Sequence, residues 1–479
     1  MTNLEPPVIV WFRRDLRLRD HAALTAAAQT GRPVIPVFIF DEVFETLGAA
    51  SNWRFDQALA TFGSSLKKVG SRLILRKGPA LTVLQELLAE TGATTVYWQR
   101  AYDPDRVARD TGVKAALKAR GVEAKSFAGA LLHEPWTVQT GQGGDYKVYS
   151  AFRRAVWHRL IAGELLDVPK LRAPNTWPAS AALASWSLAK SMNRGAQVLA
   201  QHNSVGEANA LAKLDDFTTN RISRYQAERD LPASDACSGL SPFLTWGEIS
   251  IARCWAAGQK AAHQGQDGAD KFLSELLWRD FAAYLMWHHK KLATVEWRAE
   301  WQSFPWLKNA DHPHFQAWIR GRTGVPLVDA GMRELYVTGQ MHNRVRMIVA
   351  SYLTKHLQMD WRLGMDWFAD CLTDWDPASN AMGWQWVAGC GPDASPYFRV
   401  FNPETQRQKF DPQEHYINRW LAEGRSTPEP SALSYFEAVP RTWQISADAD
   451  YPAPIVGLSE GRAGALGRYE TWKDSREGQ

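Results

Sequence analysis

The chain has 479 residues, 45% of them hydrophobic and 22% charged, with a formal net charge of +4. That length exceeds one ordinary core and calls for two or three domains; the charge excludes a polybasic coat while leaving room for a local basic patch. No apolar run approaches the length that spans a bilayer, and MTNLEPPVIVWFRRDLRL has too short an apolar stretch for a secretory signal, so a cytoplasmic protein without a membrane partner is expected.

PVIVWF (7–12) and PVIPVFIF (33–40) are β-branched and aromatic runs that read as strands, and DHAALTAAAQTG between them reads as a helix with Asp20 as N-cap. WRFDQALATFGSSLKKVG, ALTVLQELLAETGA and DRVARDTGVKAALKARG are helical, while RLILRKG, TTVYWQR and VEAKSFAG are strands. This alternation predicts an α/β domain with a doubly wound parallel sheet over residues 1–130. The domain lacks GxGxxG and its first turn, WFRRDLRLRD, is arginine-rich, so its dinucleotide signal is weak. Residues 131–205, with Pro135, Pro169, Pro174, Pro178 and GQGG, read as a connector. Over 206–479 strand signals nearly vanish and an all-α domain is predicted; from about 425 onward, scattered prolines, glycines and charges read as a peripheral tail.

Four cysteines, Cys237, Cys254, Cys371 and Cys390, are far apart and show no CxxC spacing. Buried free thiols are expected, and neither a metal site nor a redox dithiol is. The unusual count is tryptophan, at 23.

Three stretches carry unusual chemistry. In SELLWRDF, Glu275, Trp278 and Arg279 stand at i, i+3 and i+4 on one helix face. They form either a helix rim with an ordinary ion pair or a cavity wall that stacks, hydrogen-bonds and binds an anion. In MHNRVRM, Asn343, Arg344 and Met347 share a turn; its arginines need an acid, and DWD at 374–376 offers two. In CSGLS, Cys237 to Ser241, small residues present backbone N–H groups suited to a phosphate or simply to a helix start. A fourth stretch, SNAMGWQW, places Trp384 and Trp386 at i and i+2, aimed in nearly opposite directions.

WFRRDLRLRD, LLWRDF, GMRELYVTGQMHNRVRMIVASYLTK, DWDPASNAMGWQWVAG and PYFRVFNPETQRQKFDP, in that order along nearly the whole chain, resemble the photolyase/cryptochrome flavoproteins. Within the family the chain is most similar to bacterial photolyases that repair cyclobutane pyrimidine dimers, since MHNRVRM has methionine where the six-four branch carries a histidine motif. The resemblance implies a photolyase-like fold, with an α/β antenna-binding domain and an all-α FAD-binding domain. It places FAD against Tyr225, Cys237, Ser238, Gly239, Leu240, Ser241, Phe272, Arg279, Asn343, Arg346, Asp374, Trp375, Asp376 and Asn380. Arg346 would pair with Asp374 beside the isoalloxazine, and Asn380 would face flavin N5.

It further implies an electron relay through Trp384 and Trp361, with Trp306 assigned as the exit. Trp386 would face the other way and, with Trp278, stack on a dimer flipped out of damaged DNA. Asn343, Arg344 and Met347 match dimer contacts, and Arg229, Arg399 and Gln406 match DNA contacts. Glu275, protonated through burial, would stabilise the dimer radical anion. Asp103 aligns with an antenna contact for methenyltetrahydrofolate, with a deazaflavin, an FMN or an empty site as alternatives. The implied activity is light-driven dimer splitting by a monomer, with blue-light signalling as the alternative. Two departures stand out: Ala381 and Met382 beside Asn380, and Cys237 and Gly239 in the phosphate loop.

Overall fold

The protein is described by a computed structural model over residues 5–159 and 164–477. Residues 1–4, 160–163 and 478–479, which fall in the expected first domain, connector and helical domain, lie outside the described residues. Two compact units are present. One comprises Met1–Ser191, Ser204–Gln226 and Ser238–Lys290; the other comprises Met192–Asn203, Ala227–Cys237 and Lys291–Gln479.

The first unit contains a five-stranded sheet of β1 (Val8–Phe12), β2 (Val34–Phe40), β3 (Ile74–Lys77), β4 (Thr95–Gln99) and β5 (Glu123–Phe127), in the order β3-β2-β1-β4-β5. Every pairing is parallel, with Val8 opposite both Val34 and Thr95. All of β1 and β2 is buried, as expected of parallel strands covered on both faces. Side chains alternate between the faces: Val8, Val10 and Phe12 join Phe38, Phe55 and Phe62, while Ile9 and Trp11 join Ile35, Leu84 and Trp98.

The strand order reverses between β1 and β4, where open α/β sheets commonly hold ligands beyond the strand ends. Protein groups fill that place here. Arg13 Nη1 donates to both carboxylate oxygens of Asp110 at 3.0 Å, and Nη2 donates to the Gln99 carbonyl. Arg109 pairs with Asp41 at 2.6 Å and with Asp110 at 2.9 Å.

One expected cap differs. The first helix, Ala22–Gln29, is capped by His21, which accepts from Leu24 N at 3.0 Å. Asp20 has φ 52 and turns its carboxylate to Leu166 N (2.8 Å) and Arg253 Nε (2.7 Å). A cap residue needs extended backbone, and Asp20 lacks it.

In the second unit helices predominate, among them Pro326–Thr338, Asn343–Ser351, Trp361–Cys371 and Pro377–Ala388. Its one β contact among the described residues is a parallel bridge between Leu307 and Met359. The stretch beyond 425 is not a loose tail. It forms the helices Pro430–Ala438 and Leu458–Glu477, the latter buried at Gly461, Ala465 and Trp472. Gly461 and Ala465 admit close approach, so this helix packs onto the π-helical turn Tyr352–His356 with few large apolar residues to mark its face. Cys254, Cys371 and Cys390 are buried free thiols, whereas Cys237 is only half-buried. No described helix is long and apolar enough to cross a membrane.

Candidate functional site

The Pro377–Ala388 helix organises the second unit's share of the predicted residues. Pro377 takes its first position and Asp376 caps it, accepting from Ser379 N at 2.8 Å. Asn380, 8% exposed, donates from Nδ2 to the Asp376 carbonyl at 3.0 Å, which fixes the direction of its amide. Two residues before the cap, Asp374 accepts from Arg346 Nη2 at 3.1 and 2.9 Å. Arg346 Nε donates to the Met341 carbonyl at 2.8 Å, so the guanidinium is held at both ends. The structure thus brings Arg346, Asp374 and Asn380 onto one small framework. Asn343 is exposed at the start of its helix, with Nδ2 3.9 Å from Met347 Sδ, and Trp375 is half-buried.

Trp384 and Trp386 leave this helix in different directions. Trp384 is 3% exposed, with Phe368 at 5.0 Å and Trp318 at 6.2 Å between ring centroids, whereas Trp386 is half-buried. Gln385 between them clamps the neighbouring loop: Nε2 donates to the carbonyls of Leu292 (2.7 Å) and Val295 (2.9 Å), and Oε1 accepts from Trp297 N (2.8 Å). Trp384's ring lies on the α-carbon of Gly364, one turn after the fully buried Trp361. Trp361 in turn follows the bridge that ties Leu307 to Met359, with Asp360 N donating to the Leu307 carbonyl at 2.8 Å. Trp306 precedes Leu307, so backbone pairing draws Trp306, Trp361 and Trp384, the tryptophans expected to form a relay, into one region. Trp306 was expected at the surface but is only 7% exposed; its ring sits 4.5 Å from Phe304 and 6.4 Å from Trp301 and from Tyr397.

Sequence reasoning missed Glu334, which accepts hydrogen bonds from the Tyr416 hydroxyl and from His342 N (3.2 Å). Burial pushes its carboxyl up to about 7, and Arg346 is among the charges that oppose the shift. Burial pushes the His342 imidazole down to about 4. A glutamate in an amphipathic helix ordinarily reads as part of a solvated face, which is why RELYVTG gave no sign of it.

In the same unit, Arg344 donates to Asp230 at 2.7 Å and its guanidinium lies 4.5 Å from the Phe410 ring. Both residues, with Phe401, Gln406 and Lys409, line an open surface cavity of about 460 Å³. Arg399 is exposed, Arg229 is half-buried, and Cys237 Sγ sits 3.7 Å from both the Arg229 carbonyl and His342 Nε2.

The first unit holds the rest. Trp278 stacks on Tyr149 with centroids 3.6 Å apart and planes at 12°, leaving one indole face for another partner. Glu275 is half-buried, and Lys271, one turn earlier, pairs with it at 2.9 Å. Arg279 Nη1 donates to the Ala130 carbonyl at 2.7 Å. Tyr225 and Phe272 form an aromatic corner with Phe217, whose centroid is 5.4 Å from Tyr225 and 4.9 Å from Phe272. In the loop Ser238–Ser241, Gly239 has φ 62, and Ser238 Oγ accepts from Leu240 N at 3.4 Å. Positive φ at a glycine beside hydroxyl residues is the backbone form of an anion-binding concavity. Asp103 caps the Pro104–Ala119 helix and its carboxylate also accepts from Arg106 Nη1 at 3.2 Å.

Residues 272–471 match the FAD binding domain of DNA photolyase, and residues 8–174 match the DNA photolyase family. The chain is 44% identical over 472 residues to a deoxyribodipyrimidine photo-lyase from Agrobacterium fabrum, covering 98% of each chain. It is 35% identical over 485 residues to the Escherichia coli deoxyribodipyrimidine photo-lyase, covering 96% of this chain and 98% of that one. Cryptochrome-1 of Arabidopsis thaliana is 34% identical over 476 residues, covering 95% of this chain and 69% of that one. Among solved structures, a bacterial class III photolyase from Agrobacterium tumefaciens superposes with a TM-score of 0.90 over 98% of each chain at 44% identity. The chain belongs to the photolyase/cryptochrome family. Within that family it stands with the deoxyribodipyrimidine photo-lyases.

Proposed function

We propose that this chain is a deoxyribodipyrimidine photo-lyase, acting as a cytoplasmic monomer that splits cyclobutane pyrimidine dimers in DNA under blue light. The observation that carries it is the division of labour on the Pro377–Ala388 helix: Asn380 beside the Arg346–Asp374 pair, Trp384 buried in an aromatic path, and Trp386 turned elsewhere.

The donor set fits FAD. Ser238, Gly239, Leu240 and Ser241 offer hydroxyls and a positive-φ bend for its phosphates, and Tyr225, Phe272 and Arg279 offer aromatic and cationic contacts. Arg346 offsets negative charge on a reduced isoalloxazine, while Asp374 keeps the guanidinium in place. Asn380 supplies a neutral amide, which hydrogen-bonds without adding charge. When bound and reduced, FAD supplies the light absorption and the electron that opens the dimer ring.

Trp384, Trp361 and Trp306 relay an electron inward to the helix bearing Asn380. Trp278, backed by Tyr149, offers a stacking face for a flipped dimer, and Trp386 is a second candidate for that stacking. Arg229, Arg399 and Gln406 take DNA phosphates, and Arg344 meets the dimer at its own phosphate, with Asn343 and Met347 against the lesion. Glu275, once released by Lys271 and protonated, donates a hydrogen bond to a dimer carbonyl. Methenyltetrahydrofolate is the favoured antenna, ahead of a deazaflavin or FMN, with Asp103, already accepting from Arg106, as its contact. Illuminating the reduced holoprotein with a thymine-dimer oligonucleotide tests the function: thymines reappear, and a dark control yields none.

A further inference from the structure

Gly239, in the loop Ser238–Ser241, carries no side chain, and the structure shows what lies over it. Lys213, from the last turn of the helix Glu207–Asp216, lays its side chain over the α-carbon of Gly239. A Cβ at position 239 would meet Lys213 Nζ at 3.1 Å, Cδ at 3.4 Å and Cε at 3.6 Å. The ammonium therefore lies over the bend of the loop, at a residue whose φ of 62 favours glycine.

That ammonium has no dedicated counter-ion. Among the described residues no carboxylate lies within ion-pair distance of Lys213. The acid that feels it, Asp216 one turn on, is already engaged by Asn220 Nδ2 at 2.9 Å and Arg221 Nη2 at 2.5 Å. Lys213 is also only half-buried, so it remains able to meet a ligand. An unpaired cation over a glycine bend with hydroxyls at Ser238 and Ser241 matches a pyrophosphate, which carries two negative charges and accepts from N–H, O–H and ammonium donors alike.

We infer that Lys213 is a binding residue for the FAD pyrophosphate, supplying from a neighbouring helix the positive charge that the loop itself, with Gly239, lacks. The inference rests on the reading that Ser238–Ser241 receives the FAD phosphates. Nothing in the sequence pointed to Lys213: it stands 26 positions before Gly239, in a helix whose other charges are all acids.

The test uses the full-length holoprotein, with FAD release on dilution followed by flavin fluorescence at low and high salt, for wild type, Lys213→Met and Lys213→Arg. Lys213→Met is expected to weaken FAD about tenfold at low salt, the scale of one charge-assisted hydrogen bond, and by less at high salt. Lys213→Arg is expected to stay within about threefold of wild type, because charge and reach are retained. Phosphorus NMR of the bound cofactor adds a readout that a merely structural lysine would not move: the pyrophosphate resonances shift in Lys213→Met. If Lys213→Met holds FAD as tightly as wild type, with the same salt dependence and unchanged phosphorus resonances, the inference is overturned alone. If the wild type itself takes up no FAD, the reading beneath it falls too.

Discussion

The indole of Trp384 rests on the α-carbon of Gly364, one turn along the helix from Trp361. A methyl group at 364 would enter the Trp384 ring, so Gly364→Ala has to push the indole off its seat between Phe368 and Trp318. Overpacking of this kind costs about 1–3 kcal/mol. Gly364→Ala is expected to lower unfolding free energy by that amount in urea and to slow photoreduction of oxidised flavin, while the flavin content stays unchanged.

Trp384→Phe separates the relay from repair. Photoreduction is expected to fall by about tenfold or more, a barrier increase of at least ~1.4 kcal/mol. Splitting of dimers by holoprotein already reduced with dithionite is expected to be nearly unaffected. Equal loss in both assays would remove Trp384 from the relay.

The parts legible in the sequence were those with strong local signatures. The β-branched runs at 7–12 and 33–40, with helices between, announced a parallel sheet, because strands covered on both faces read as continuous apolar stretches. The i, i+2 spacing of Trp384 and Trp386 announced two destinations. Contacts between distant segments were not legible. Leu458–Glu477 packs through Gly461 and Ala465, which leave no apolar pattern. Tyr149 beneath Trp278 and Tyr416 beside Glu334 are likewise products of the fold.

Arg346→Ala leaves the Asp374 carboxylate, 6% exposed, without its guanidinium. The Arg346 side chain is 24% exposed, so the loss falls short of that for breaking a fully buried pair and is about 1–3 kcal/mol. The variant is expected to lose that much stability and to release FAD during gel filtration, and Arg346→Lys to recover part of both.

Glu334 gives a pH dependence with a definite sign. Its carboxyl holds a proton up to about 7 in the fold, against the ordinary 4.5 when unfolded. Its contribution to stability is therefore fully present below about 4.5 and is lost as pH rises to about 7. At 1.36 kcal/mol per unit the loss is ~3 kcal/mol. Glu334→Gln is expected to gain on wild type by up to that amount between pH 5 and pH 8 in urea titrations; a constant difference would show that the carboxyl does not titrate there.

Arg344 tests the DNA surface. It gives up Asp230 to meet a phosphate, so Arg344→Ala is expected to weaken binding to a dimer-containing duplex about tenfold and to reduce the salt slope by about one. An unchanged slope would place Arg344 outside the phosphate contacts.

The most direct measurement is a single-turnover assay on the reduced, FAD-loaded protein bound to an oligonucleotide with one thymine dimer, read by recovery of thymine absorbance after a flash of blue light. A repair enzyme returns intact thymines with the flavin still reduced at the end, and Trp278→Ala lowers the yield per flash. Flavin oxidation without thymine recovery in the wild type would contradict dimer repair outright.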